Sequence, residues 1–197
     1  MKLNENVSNP MLVGAMQLLK AENTPEHQQL MTAELLKATL ISPARITPGP
    51  IVDSEGNEKI PQGAQIQFPM LNANDGKKFF VAYTDVQSMR SNEENEKVST
   101  PEEYRNYFVS LNIREFFRML LSRDPMGNEN PASGVVINPY GENVIVTKKM
   151  ALAVMQQEML LAQQMARKAQ EAKEAEGGVS PDGANNVIPF PGGEPKQ

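Results

Sequence analysis

Two runs of β-branched residues face each other across a short turn between Ser133 and Thr147, and no other stretch restricts the fold of this chain as tightly. Gly134-Val135-Val136-Ile137 and Val144-Ile145-Val146-Thr147 flank Asn138-Pro139-Tyr140-Gly141-Glu142-Asn143. β-Branched side chains favour the pleated backbone, and Asn, Pro and Gly between them favour a reversal, so the segment reads as one buried hairpin. A hairpin this apolar is the spine of a sheet, and the rest of the chain has to cover it.

There is enough chain to do so. With 197 residues, 40% of them apolar, it suits one domain of ordinary size with a hydrophobic core, plus some tail. A net charge of -5 sets up no global positive field, so neither nucleic acid nor an anionic membrane is expected as partner. Cysteine is absent, which removes disulfides, thiolate nucleophiles and cysteine zinc sites. The start, Met1-Lys2-Leu3-Asn4-Glu5-Asn6, lacks the apolar core of a signal peptide, and no run of about 18 apolar residues exists to span a bilayer. The expected compartment is the cytoplasm.

Asn9-Pro10 and Thr24-Pro25 each place a capping side chain before a proline, predicting helices to about Ala21 and Lys37. Leu12, Met16 and Leu19 form one apolar stripe, and Leu30, Ala33 and Leu36 the other. Ala38 to Thr47 alternates and predicts a strand, placed near an edge because Pro43 interrupts it. Ile51 to Ile60 carries Glu55-Gly56-Asn57 between apolar ends and predicts a surface excursion or small hairpin. Ile66, Phe68 and Met70, then Phe79, Val81 and Tyr83, predict a second hairpin whose turn is Asp75-Gly76. Ser91 to Thr100 is polar and acidic and reads as loop, and Thr100-Pro101-Glu102-Glu103 as a capping box that starts a short helix. Two elements with a break near Ser110 follow, the second opened by the box Asn112-Ile113-Arg114-Glu115 and ended by Asp124-Pro125-Met126-Gly127-Asn128. After the opening hairpin a long helix runs from about Lys148 to Glu176. Beyond Gly177-Gly178 a Pro-, Gly- and Asn-rich tail, 177–197, is expected to be disordered.

Phe68-Pro69-Met70-Leu71, Asp75-Gly76, Phe79-Phe80-Val81-Ala82-Tyr83-Thr84 and Gly134-Val135-Val136-Ile137-Asn138-Pro139 resemble, in order and spacing, the successive landmarks of the SseB amino-terminal domain family. The resemblance runs from about Pro25 to Ala153. It implies an α+β domain around a mainly antiparallel sheet, here of about five strands with helices packed on it and a long C-terminal helix. The family is named for serine sensitivity and lends no catalytic residues to transfer. Where its two-domain members continue into a second domain, this chain has an alanine-rich helix and a tail. The expected organisation is therefore an SseB-like domain over 1–147, the helix over 148–176 and the tail.

Reaction chemistry is not legible. The one histidine, His27, sits in a first helical turn and reads as solvated, so a Ser-His-Asp triad or multi-histidine metal site has nothing to build on. Glu93, Glu94 and Glu96 read as solvated charge. Asp53-Ser54-Glu55-Gly56-Asn57-Glu58 lacks calcium-loop spacing, and neither GxGxxG nor GxxxxGK occurs. Arg105, Arg114 and Arg118 lie near Phe116 and Phe117, but the aromatics have core spacing, so the arginines read as solvated stems rather than a nucleic-acid strip. No cofactor, metal or catalytic residue is assigned.

Two places remain for recognition. Leu152, Met155, Met159, Ala162 and Ala166, continuing to Ala169, recur in steps of three and four, a seam that admits another helix. The preferred expectation is thus a non-enzymatic module that binds a protein partner through that helix, with a second copy of itself among the candidates. The alternative is a small-ligand binder or enzyme using a groove beside Tyr83, Asp85, Asn138 and Tyr140. Asn138-Pro139 admits both a turn-forming and a ligand-recognising reading. Because the seam lies beyond the hairpin, a chain ending at Thr147 is expected to keep its core.

Overall fold

The computed structural model describes residues 1–94 and 101–176. In chain order, β1 (Lys2–Leu3) precedes α1 (Pro10–Ala21) and α2 (Pro25–Lys37). Then come β2 (Thr39–Thr47), the ribbon strands β3 (Ile51–Val52) and β4 (Glu58–Lys59), β5 (Gln65–Gln67), β6 (Met70–Asn72), β7 (Lys78–Ala82) and α3 (Val86–Glu94). A 3-10 turn at Glu102–Tyr104 leads to β8 (Tyr107–Asn112), α4 (Ile113–Leu121), β9 (Ala132–Ile137), β10 (Val144–Thr147) and α5 (Lys148–Glu176). The fold is α+β. The chain divides into two compact units, Met1–Gln156 and Gln157–Gln197.

The strands of the first unit form two four-stranded sheets, ordered β1-β8-β2-β5 and β10-β9-β7-β6, and the β3-β4 ribbon. All pairs are antiparallel except β7 with β9. Ile41 and Tyr83 join the two sheets by exchanging backbone hydrogen bonds of 2.9 and 2.8 Å. The expected sheet of about five strands is thus split and extended, because short strands such as β1 and β5 add to edges that their own sequences do not announce.

The helices start and stop where local chemistry says. Thr24 accepts the His27 amide at 3.2 Å, and Asn112 and Glu115 close a reciprocal capping box. The α1 stripe of Leu12, Ala15 and Met16 is buried, with Leu19 half-buried beside it. On α2 the inward residues are Met31 and Leu35, whereas Leu30 and Ala33 are exposed and Leu36 is only half-buried. The inward face of α2 is therefore roughly opposite the expected stripe. Phe116, Phe117 and Leu120 of α4 fill the main core with Leu40, Leu111, Val135 and Ile137. Arg114 is no solvated stem, since it donates to the Leu36 carbonyl at 2.7 Å and so closes the C-terminal end of α2.

Other expectations are corrected as well. β2 is an inner strand, not an edge. Ile41 turns its backbone groups towards Tyr83, so Pro43, two residues on, points its missing N–H to that same side. There the ladder is interrupted between the Tyr83 bridge and the β5 pairing, which starts at Arg45, and on the other side β8 pairing is complete from Thr39 to Ala44. The predicted second hairpin is formed by β6 and β7 alone, and Gln65–Gln67 pairs with β2 instead. Val86–Glu94 is a helix where a loop was expected from Ser91. The Thr100 box yields a single 3-10 turn, with Thr100 itself outside the described residues, as are Glu96 and the 177–197 tail. The break between strand and helix falls at Asn112, not Ser110. Polar turns are closed by carboxylates: Asp53 accepts the Glu55 and Asn57 amides, and hydrogen bonding from the Lys59 side chain and then from the Asn57 amide holds its pKa below the ordinary aspartate range.

Candidate functional site

β7 and β9 run parallel side by side, so the residues that leave their ends emerge together. Tyr83-Thr84-Asp85 leaves the one, Asn138 to Asn143 the other. Asn138, Tyr140 and Asn143 all have positive φ, at 47°, 65° and 55°, in the left-handed region that costs a non-glycine residue about 1 kcal/mol or more. What holds the loop is Asn138. Its side-chain oxygen accepts the Thr84 amide at 3.0 Å, its amide nitrogen donates to Thr84 Oγ1 and to Glu142 Oε2, both at 2.9 Å, and its carbonyl accepts the Gly141 and Asn143 amides. With Asn138 and Thr84 both buried, this polar knot is satisfied within the protein. The amide of Asn138 is therefore committed to the turn, in accord with its turn-forming reading.

The knot extends outward at both ends. Thr84 Oγ1 donates to Asp85 Oδ2 at 2.8 Å, and Asp85 caps α3 by accepting the Ser88 amide at 2.7 Å and the Ser88 hydroxyl at 2.9 Å. Asn9 does not cap α1. Its side-chain amide instead donates to the Thr39 and Thr84 carbonyls, both at 2.7 Å, pinning the start of α1 to the two sheets. Lys20 and Gln17 of α1 reach over to the Gly141 carbonyl and the Glu142 carboxylate.

Between the first turns of α1 and α3 and the Asn138–Glu142 loop lies an open cleft of about 860 Å³. Asp85, Asn138 and Tyr140 line it as a group, and Tyr140 stands 55% exposed at its edge. Tyr83 does not line it. Its side chain is wholly buried in a second small core with Val7, Ile41, Val81, Met89 and Val136. Asn9, Ser88 and Glu142 join the lining, contributions the sequence reading missed. Asp85-x-x-Ser88 is a legible cap signal, whereas nothing local marks Asn9 or Glu142. Among the described residues the lining holds two carboxylates, Asp85 and Glu142, and no lysine or arginine, so the cleft suits hydrogen-bond donors and cations over anions.

The second candidate surface is on α5. In the first unit its inward residues are Ala151, fully buried, with Val154 and Met155 packed against the core, while Leu152 is 45% exposed. In the second unit Met159, Ala162 and Ala166 are exposed, as are Leu160, Leu161 and Met165. Among the described residues no group of three or more His, Asp or Glu is placed to hold a metal ion, and no helix is long and apolar enough to cross a membrane. His27 lies half-buried, its Nδ1 2.7 Å from the Glu22 carbonyl, and the backbone of Glu93 and Glu94 belongs to α3. A family model described as the SseB protein N-terminal domain matches residues 12–153, reaching further upstream than the landmark residues do. No curated protein and no solved structure matches the chain.

Proposed function

The chain belongs to the SseB N-terminal domain family, and from that premise we propose that it is a non-enzymatic protein-interaction module of the cytoplasm whose partner is a second copy of itself. One observation carries the reading: in the second unit Met159 of the seam and Met165 beside it are 63% and 72% exposed, and Leu160 and Leu161, at 59% and 51%, extend the exposed apolar surface round the helix. Most helical stability in proteins comes from packing an amphipathic face, so a helix with exposed apolar residues gains from burying them. Methionine packs adaptably against such a surface.

A copy of the same helix is the fitting occupant on charge. Beside the Met159–Ala162–Ala166 seam lie Gln163, Met165 and Gln170, all uncharged, and in a parallel pair Glu158 meets the copy's Gln163 rather than another acid. Each buried methionine or leucine contributes about 1.5–3 kcal/mol and each alanine much less, so the association is weak and concentration-dependent. Sedimentation velocity over a concentration series tests it against a variant carrying Met159→Gln, Leu160→Gln, Leu161→Gln and Met165→Gln, which keeps helix propensity. The expected result is a dimer fraction that grows with concentration in the natural chain and is lost in the variant. A natural chain that stays monomeric, or a variant that dimerises equally, refutes the reading.

A second reading, a small-ligand site in the cleft beside Asn138, is favoured by the two carboxylates that face it without a basic neighbour in its lining. It predicts thermal stabilisation by small organic cations that is lost in Glu142→Gln, and a panel of such amines without any stabilising member would remove it.

A further inference from the structure

On the face of the second sheet that carries the second small core, residues paired directly across strands line up in rows, and Leu71, Phe79, Gly134 and Thr147 form one such row. The neighbouring row is Val81, Val136 and Ile145. α3 and the N-terminal segment cover the second row in part, through Met89 and Val7. In the first row Leu71 and Phe79 pack half-buried against that same core, and Thr147 at its end is exposed. Gly134 has no side chain, and it has to be glycine, because a Cβ there would run into the Val146 carbonyl oxygen of β10. The residue that lets β10 come close thus leaves a gap in the face between Phe79 and Thr147. The register shift between Lys78 and Phe79 sets Ser133 beside that gap. The result is a trough of about 640 Å³ with Phe79 and Ile145 among its walls. Ile145 is 43% exposed.

Three lysines and one aspartate rim the trough. Lys77 is paired with Asp75, and Lys148 is held by Glu129 and by the Asn130 carbonyl. Lys149 is exposed and makes no ion pair among the described residues. The rim therefore carries, at Lys149, positive charge that the protein does not neutralise, next to the apolar walls of Phe79 and Ile145. We infer that this trough is a docking site for an acidic segment of a partner protein, which sets one large apolar side chain between Phe79 and Ile145 and a neighbouring carboxylate against Lys149. Phe79 and Ile145 supply contact area for the side chain, and Lys149 supplies the charge that selects an acidic segment over a basic one. The inference is independent of the helix on residues 157–176, whose glutamine variant leaves every residue of the trough in place.

Fluorescence anisotropy with a fluorescein-labelled peptide, Gly-Glu-Asp-Phe-Asp-Glu-Gly, tests it on the full chain. Saturable binding is expected, weakened by about tenfold in Lys149→Glu and by a similar factor in Ile145→Ser, and falling as salt is raised. The charge-swapped peptide Gly-Lys-Lys-Phe-Lys-Lys-Gly is expected to bind Lys149→Glu more tightly than the natural chain, a reversal that a merely misfolded variant does not give. No binding of the acidic peptide, equal binding by Lys149→Glu, or binding of phosphatidylserine vesicles in place of the peptide would each overturn the inference.

Discussion

Asn138 combines three demands that rarely meet in one residue: a left-handed backbone at φ 47°, near-complete burial, and a side chain that serves Thr84 and Glu142 together. Asparagine tolerates the backbone better than other non-glycine residues and brings both a donor and an acceptor. Asn138→Ala removes the acceptor for the Thr84 amide and leaves that buried N–H unpaired, which costs about 1–3 kcal/mol, and it adds backbone strain of about 1 kcal/mol. Asn138→Gly loses the same hydrogen bonds but not the backbone fit. Both variants are therefore expected to be less stable in urea denaturation, by about 3 kcal/mol for alanine and about 2 kcal/mol for glycine. If the two variants were equally stable, strain would not be part of what Asn138 relieves, and if both matched the natural chain, the knot would be incidental.

Among the elements, the β9–β10 hairpin confirms that a β-branched run with a Pro-containing turn is legible at once, yet its tightest constraint lies in Gly134. Gly134→Ala pushes a Cβ into backbone that cannot swing aside, so it is expected to destabilise by about 2–3 kcal/mol. Gly14 of α1, whose added Cβ would meet nothing within 4 Å, gives the contrast. Gly14→Ala is expected to stabilise by about 0.5–1 kcal/mol, since alanine loses less freedom in a helix. Thermal or urea unfolding of the two variants against the natural chain checks both signs. The same contrast explains what sequence could and could not supply. Asn112-x-x-Glu115 and Thr24-Pro25 were readable because both partners of each cap lie within one turn. α3 was not, because Met89 alone is buried among its described side chains, and its acidic composition resembles a loop. Asn9 looked like a cap and acts instead on Thr39 and Thr84, far along the chain. At the cleft Asp85, Asn138 and Tyr140 were found from turn and strand-end signals. Glu142 escaped, since its place depends on the left-handed turn around it, and Tyr83 was assigned to the groove although alternation along β7 carries it inward to Ile41 and Val136.

For the whole molecule the question is where the domain ends, and packing gives a different answer from the hairpin. The last strand stops at Thr147, yet Ala151 is fully buried, Val154 and Met155 pack on the core, and the first unit continues to Gln156. A chain ending at Thr147 therefore exposes the core face that these residues cover, contrary to the expectation that the hairpin closes the fold. Restoring the residues from Lys148 to Gln156 returns roughly one well-buried side chain and two partly buried ones, worth about 2–4 kcal/mol together at about 0.8 kcal/mol per buried methylene-sized group. That is a large share of a typical domain stability of about 5–15 kcal/mol. The chain ending at Gln156 is thus expected to unfold cooperatively at the same urea midpoint as the intact protein, and the chain ending at Thr147 at a clearly lower one. Self-association separates along a different line, because the exposed methionines and leucines at 159–165 are missing from both shortened chains. Both are expected to remain monomeric in sedimentation while only one has lost stability. Dimers of the chain ending at Gln156 would place self-association in the first unit and so contradict the helix reading, and equal urea midpoints for the two shortened chains would show that the first two turns of α5 add nothing to the domain.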